Sequence, residues 1–355
     1  MPGRRPPQRR QRSRGPEADR GRIRLFATAV PGIAPLLQRE LSGLRISTDA
    51  TGFDGRADIV SFEIPGRDIP ELGTAEDLFI EVGRTLRSEG DRPQWISRRL
   101  WKPARVDQAL ALRPARAQTT FRVIARVLQE RSFKRTELRR HLTGLISTDR
   151  PRWRPDDPAA VEIWAVEYTA GKFLAGLRVS DAAMRQHDGR AVERTGALRP
   201  TVAAAMLNLL SDQDRFTLLD PCCGSGTILS EAISRGWNAI GRDIDPEAVA
   251  ISRQNARAAK IERGDVHRLD LPSASVDGCV SNLPFGQQYE LAGDPAAWLR
   301  SALVEMARVT RSPGRVVLLS PTLPRASVPE ELRLVQRHPI RLLGTRTTIW
   351  TLDRS

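Results

Sequence analysis

Four short segments hold residues whose types and spacing can do chemistry, and each stands where an apolar run ends. The first is Asp220-Pro-Cys-Cys-Gly224-Ser225-Gly226-Thr227, between the run Phe216–Leu219 and a helical pattern from Ile228. Glycines at such a turn let backbone pass close to a ligand, and a helix N-terminus offers free N–H groups to an anion. A G-x-G pair alone fits several nucleotide sites, and also a tight turn with no ligand. A dinucleotide fingerprint needs a third glycine where Leu229 stands, and no Gly-Lys-Ser/Thr follows for a triphosphate. S-adenosylmethionine is the leading ligand, with Asp220, Cys222, Gly224, Ser225, Gly226 and Thr227 as candidate contacts.

The second segment is Gly241-Arg-Asp243-Ile244-Asp245-Pro246. Asp243 lies 19 residues after Gly224, close to the ~20 expected of a carboxylate that accepts ribose hydroxyls. Asp245 reads as the cap of a helix starting at Pro246, with Ile244 between the two acids as a further cofactor contact. The third is Gly264-Asp265-Val266. There Asp265 either accepts an adenine amino group, with Val266 beside it, or is an exposed turn residue.

The fourth segment, Ser281-Asn282-Leu283-Pro284-Phe285-Gly286, says most about the reaction. An exocyclic base amine is a poor nucleophile because its lone pair delocalises into the ring. Acceptors that hold its N–H groups favour the pyramidal geometry that can react. Asn282 Oδ1 and the Leu283 carbonyl supply two. Pro284 stiffens the turn, and Phe285 can stack on the base. A sulfonium methyl is already activated, so the work is alignment for in-line displacement, with no strong general base required.

Strands alternating with helices from about residue 198 position these segments. FTLLD (216–220), NAIGRDI (238–244), VDGCVSNLP and GRVVLLS (314–320) alternate with helices over Thr201–Leu210, ILSEAISR, PEAVAISRQNARAA and Ala296–Val309, and a hairpin closes the chain. That pattern predicts an α/β, Rossmann-like doubly wound domain over 198–355, with ligands at the C-terminal ends of its strands. Upstream, RIRLFATAV (22–30) reads as a strand and IAPLLQRELSGL as a helix, in an α+β unit over 23–92. In a second small unit, 93–180, TFRVIARVL (120–128) is a strand and RTELRRHLTGLI (135–146) an amphipathic helix. RPRWRPDDP (150–158) is a loop, and two strands joined by Ala170-Gly171 form a hairpin. A polar linker, 181–197, follows.

Net charge is +14 and uneven. Residues 1–180 hold 34 Lys+Arg against 22 Asp+Glu, and residues 181–355 hold 22 against 20. The first half therefore reads as the polyanion-binding half, although abundant Arg throughout would give the same count. Arg131, Lys134, Arg135, Arg139 and Arg140 are the candidate phosphate contacts, the alternative being a solvated helix face. Residues 1–22, with eight Arg and two acids, read as a disordered basic tail with no apolar stretch for a signal or anchor. Three cysteines, two of them adjacent, give no disulfide framework and no zinc spacing, and the four histidines form no metal set. Cys222 and Cys223 read as packing residues, and most tryptophans as core, with Trp153 the candidate for stacking. No apolar run reaches the ~20 residues of a membrane span, and a reducing cytoplasm is the default location.

Asp220–Thr227, Gly241–Asp243, Asn282–Gly286 and the approach Leu198–Met206 together resemble the THUMP-domain RNA methyltransferases, in the tRNA guanine-N2 branch. LFATAVPGIAPLLQREL (25–41) is similar to the start of that family's N-terminal ferredoxin-like domain, and TFRVIARVLQERSFKRTEL (120–138) to its THUMP core. The resemblance implies a ferredoxin-like domain over 23–92 and a THUMP RNA-binding domain over 93–180 that grips the acceptor stem and 3′ end of tRNA. It implies a C-terminal domain that methylates a guanine amino group. Phe26, Arg135 and Arg199 fall on family-like positions. Many amino-methyltransferases have proline where Leu283 stands. Adenine N6 or guanine N2 in rRNA or DNA remains an alternative target, as does a non-catalytic RNA-binding module. The oligomeric state is not legible in the sequence.

Overall fold

The computed structural model describes residues 22–85, 92–113, 115, 118–128, 131–181, 187, 192, 196–211, 213–284 and 294–355. The N-terminal half builds one eight-stranded sheet. Its strands are β1 (Ile23–Ala29), β2 (Thr48–Phe53), β3 (Asp58–Ile64), β4 (Asp77–Arg84), β5 (Thr119–Arg126), β6 (Trp153–Pro155), β7 (Val161–Thr169) and β8 (Lys172–Arg178), with helices α1 (Ala34–Gly43), α2 (Pro93–Leu100), α3 (Pro103–Leu112) and α4 (Arg135–Asp149). The order is β2-β3-β1-β4-β8-β7-β5-β6. The antiparallel β4–β8 pair, with Phe79 opposite Arg178, carries one sheet across residue 92.

Helix α1 shows why such elements form where they do. Leu36, Leu37 and Leu41 recur on one face and are buried, each worth roughly 1.5–3 kcal/mol against exposure. The cap comes from another strand: the Asp58 carboxylate accepts the N–H groups of Gly32 (2.7 Å) and Ala34 (3.0 Å). Gly32, at φ 95°, stands where a Cβ would lie 2.1 Å from the Pro339 carbonyl oxygen. Only glycine lets this turn approach the C-terminal half so closely.

The segment 150–158 is not wholly a loop. Its residues 153–155 are strand β6, parallel to β5. Trp153 is buried at 7% exposure and packs on Phe121, with ring centroids 6.1 Å apart. It is a core residue and not a stacking platform. Phe26 is likewise core, stacked on Phe79 at 4.6 Å. The predicted hairpin is β7–β8, with Gly171 at φ 74°.

The C-terminal half follows the α/β alternation: α5 (Pro200–Leu210), β9 (Thr217–Asp220), α6 (Thr227–Ser234), β10 (Asn238–Asp243), α7 (Pro246–Asn255), β11 (Lys260–Arg263), β12 (Val276–Asn282), α8 (Pro295–Val309), β13 (Thr310–Ser320), β14 (Leu332–Leu342) and β15 (Thr345–Arg354). The sheet order is β11-β10-β9-β12-β13-β15-β14. Strands β11 to β13 run parallel, and β15 pairs antiparallel with both neighbours. The chain starts in the middle at β9, winds outward through β10 and β11, then returns through β12. The switch of direction at β9 opens a crevice at the strand ends, where ligands bind in such sheets. The halves meet where Glu76 accepts from Arg199 (2.7 Å) and from Thr201 at the start of α5. They meet again where the Arg341 N–H donates to the Pro31 carbonyl (2.9 Å). No helix among the described residues is long and apolar enough to cross a membrane.

Candidate active site

A cavity of about 430 Å³ lies at the C-terminal ends of β9, β10, β11 and β12, lined by residues from all four predicted segments. That volume suits a nucleoside-sized ligand. It brings together Asp220, Cys222, Gly224, Ser225, Thr227, Asp243, Ile244, Asp265, Val266, Asn282, Leu283 and Pro284. Phe285 lies outside the described residues.

The turn after β9 takes its shape from its glycines and from two acids. Gly224 (φ 52°) and Gly226 (φ 81°) adopt the left-handed conformation that side chains disfavour. A Cβ on Gly226 would also meet Ser252 of α7 at 3.0 Å. Asp243 Oδ2 accepts the Gly224 N–H (2.8 Å), and Oδ1 accepts the Asp245 N–H (3.0 Å). Each oxygen keeps a lone pair for a ligand hydroxyl. Asp245 caps α7 by accepting from the Glu247 N–H (2.9 Å).

Asp220 is buried at the end of β9. Its Oδ1 accepts from Ser281 Oγ (2.8 Å) and the Cys222 N–H (3.2 Å). Burial pushes its pKa up to about 7, the two hydrogen bonds oppose that, and the nearby Asp243 charge adds to it. The cavity therefore holds a carboxyl poised near neutrality beside a second acid, an arrangement suited to a cationic ligand group. Burial also raises the thiols of Cys222, Cys223 and Cys279, the last to about 12. They stay protonated, which suits the packing role read for Cys222 and Cys223. Among the described residues no His/Cys/Asp/Glu cluster forms a metal-ligand set.

At the opposite wall, Asp265 Oδ1 accepts the His267 N–H (2.9 Å), and Ile244 is 63% exposed, an apolar surface beside two acids. Asn282 ends β12, and among the described residues its side-chain amide has no hydrogen-bond partner. Leu283, by contrast, is 4% exposed and packs with Leu299 and Leu303 of α8. Leucine at this position anchors the loop through its side chain.

Sequence reasoning missed four supporting residues. Arg242 is 1% exposed. Its guanidinium donates to Asp270 (2.8 Å) and the Gly241 carbonyl (2.9 Å), pairs with Glu262 (2.6 Å), and clamps β10 to β11 behind the acids. Ser281 orients Asp220. His267 and Trp298 close the cavity in an edge-on contact, with ring centroids 4.9 Å apart. The alternation Gly-Arg-Asp gave Arg242 no burial signal, because its partners lie up to 28 residues away.

The predicted phosphate contacts divide. Arg131 is corrected: its side chain is 9% exposed, paired with the fully buried Glu167, and lies over the Phe173 ring at 5.5 Å. It braces the fold. Lys134, Arg135, Arg139 and Arg140 are exposed on α4. Lys134 starts the helix, its N–H donating to Glu137 (2.7 Å), and Arg140 lies 3.9 Å from the same acid. Arg135 and Arg139 line a groove between α4, β5 and β6. Arg199 pairs with Glu76. The tail residues 1–21 lie outside the described residues.

Comparison with known proteins agrees with this geometry. Residues 188–332 match the family model described as UPF0020, RMKL-like, methyltransferase domain. A bovine U6 snRNA (guanine-N(2))-methyltransferase, THUMPD2, is 40% identical over 139 residues, which are 37% of this chain and 27% of that protein. The chain thus spans about a quarter of the length of the first curated relatives it matches. A tRNA (guanine(6)-N2)-methyltransferase of Thermus thermophilus is 27% identical over 93% of this chain and 99% of its own length. The crystal structure of TrmN from Thermus thermophilus superposes with a TM-score of 0.72 at 23% identity, covering 94% of this chain and all of that one, which establishes the fold. Residues 188–332 are thus similar to the RMKL-like methyltransferase domain that the UPF0020 family model describes.

Proposed function

We propose that the protein is an S-adenosylmethionine-dependent methyltransferase acting on the exocyclic N2 amine of a guanosine in tRNA. The observation that carries the reading is the Asn282 amide at the end of β12, without a hydrogen-bond partner among the described residues and on the same cavity as Asp220 and Asp243. The amide is half-buried and lines the cavity, so its oxygen is open to a ligand donor. The full-length likeness to a guanine-N2 enzyme supports the same target.

The cofactor supplies a methyl carbon made electrophilic by its sulfonium. The residues present fit it. Asp243 offers its remaining lone pairs to the ribose hydroxyls. Ile244 would offer the adenine an apolar surface, and Asp265, beside Val266, would accept its amino group. Asp220 faces the cationic amino-acid end, with the turn from Cys222 to Thr227 lying against it. Asn282 Oδ1 accepts one N2–H of the guanine and the Leu283 carbonyl the other, which turns the lone pair toward the methyl. Pro284 stiffens that turn. As the N–CH3 bond forms the S–CH3 bond would break, leaving a neutral thioether, and the surplus N2 proton would pass to water. A guanine within a stem must first leave its stack.

The N-terminal sheet is assigned to substrate binding: residues 23–92 as a ferredoxin-like domain and 93–180 as a THUMP domain holding the acceptor stem and 3′ end, with 181–197 as linker and 198–355 as the catalytic domain. Lys134, Arg135, Arg139 and Arg140 meet phosphates there, and the protein works in the cytoplasm. The direct test is Asn282→Ala. S-adenosylmethionine should still bind by titration calorimetry, while methyl transfer to tRNA falls roughly 10²–10³-fold, as on losing one aligned polar group. Near-normal turnover would refute the assignment.

A further inference from the structure

The β14–β15 hairpin carries arginines that the protein itself leaves unneutralised. Arg341 and Arg346 are direct cross-strand partners, so their Cβ atoms lie roughly 5 Å apart and two like charges share one spot on the sheet, an unfavourable pairing. Arg337 stands on the same face, four residues along β14, or about 13 Å. All three are exposed. Among the described residues none of their side chains makes an ion pair or hydrogen bond. Elsewhere on these strands charge is balanced: Asp353 takes Arg315 (2.9 Å) and Arg333 (3.7 Å).

The hairpin is also aimed at the site. Asn282 pairs with Leu319, Leu319 with Ile349, and Ile349 with His338, in one row across four strands. Three strand gaps put His338 roughly 14 Å from Asn282. Arg341 and Arg346 lie beyond that row, on the overhang past the end of β13 at the ligand side of the sheet. At the tip Leu343 (φ 48°) and Gly344 (φ 87°) make the two-residue turn, and Leu343 is 89% exposed. Such turns favour Asn-Gly, so an exposed leucine in the left-handed region is held against its preference.

We infer that Arg337, Arg341 and Arg346 form a phosphate-binding strip on the catalytic domain that grips the RNA backbone beside the target nucleotide. The inference rests on the proposed RNA substrate. A polyanion removes the repulsion between the paired arginines, and a strip of about 13 Å spans several phosphates. The strip gives the catalytic half, with its near-neutral total, its own RNA contact close to the chemistry.

The test uses the full chain with Arg341→Glu and Arg346→Glu together, and the Lys pair as a control that keeps the charge. Fluorescence anisotropy reads binding to a labelled tRNA transcript across a KCl series, and methyl transfer is read separately. The Glu pair should weaken RNA binding about tenfold or more at low salt and flatten the log–log salt slope by roughly 1–2. Affinity for S-adenosylmethionine should keep the wild-type value, and the Lys pair should bind RNA like wild type. Unchanged RNA affinity and slope in the Glu pair would overturn the strip, as would loss of binding to phosphatidylserine vesicles alone. Wild-type protein that binds RNA but methylates no tRNA would overturn the functional reading while leaving the strip to be judged by binding.

Discussion

The two halves of the molecule use charge in opposite ways. The N-terminal half has 12 more basic than acidic residues, yet many of its arginines are consumed within the fold. Arg84 pairs with Asp49 and Glu81, Arg126 with Asp54, Arg131 with Glu167, and Arg178 with Asp77 and Glu162. The C-terminal half is near neutral but exposes acids with spare lone pairs in its cavity and unpaired arginines on its last hairpin. A charge total counts residues, whereas recognition depends on which groups the fold leaves without partners.

The largest effect that separates the halves is expected at Arg131. Removing it leaves the buried Glu167 carboxylate only the Leu128 and Gly171 N–H groups, so Arg131→Ala should cost about 3 kcal/mol of stability, read as a lowered denaturation midpoint. Arg139→Ala, on the exposed face of α4, should leave stability within ~0.5 kcal/mol and weaken RNA binding only. Equal stability of the two variants would break the distinction between bracing and binding arginines.

Asp243→Ala should weaken S-adenosylmethionine by roughly 10–100-fold, since it removes charge-assisted bonds to the ligand and to the Gly224 turn. Calorimetry should show that loss while tRNA affinity is retained. An unchanged cofactor dissociation constant would remove Asp243 from the site.

A smaller effect concerns Asp220. Its folded pKa of about 7 lies above the unfolded value near ~3.9. The ligand-free native state therefore binds more protons between those values, and its stability falls as pH rises through that window. A cationic ligand group favours the carboxylate, so cofactor affinity should rise across neutral pH with release of up to one proton. Calorimetry in buffers of different ionisation enthalpy reads this. Asp220→Asn should abolish the proton release, and a release that persists there would move its source elsewhere.

The C-terminal fold was legible because its central strands β9, β10 and β12 are short apolar runs that end at Asp or Asn, and helices start at caps such as Asp245. The same residues form the cavity, so most of the site was legible with them. What escaped depends on long-range pairing. Arg242 reads as an exposed residue beside Asp243 until Asp270 and Glu262 are brought to it. Arg131 reads as part of a basic run until Glu167, 36 residues on, folds against it. The three-residue strand β6 is too short for periodicity, and the β4–β8 pairing, which makes one sheet of two units, joins segments about a hundred residues apart. The repulsive Arg341–Arg346 pair appears only once the hairpin register is known.

The central claim is that Asn282 aligns a guanine amine of tRNA for methylation. The most direct measurement is mass spectrometry of nucleosides from a tRNA transcript incubated with S-adenosylmethionine and the protein, wild type beside Asn282→Ala. The account predicts N2-methylguanosine with the wild type and almost none with the variant. Methylated adenosine in its place, or equal N2-methylguanosine from both proteins, would contradict it.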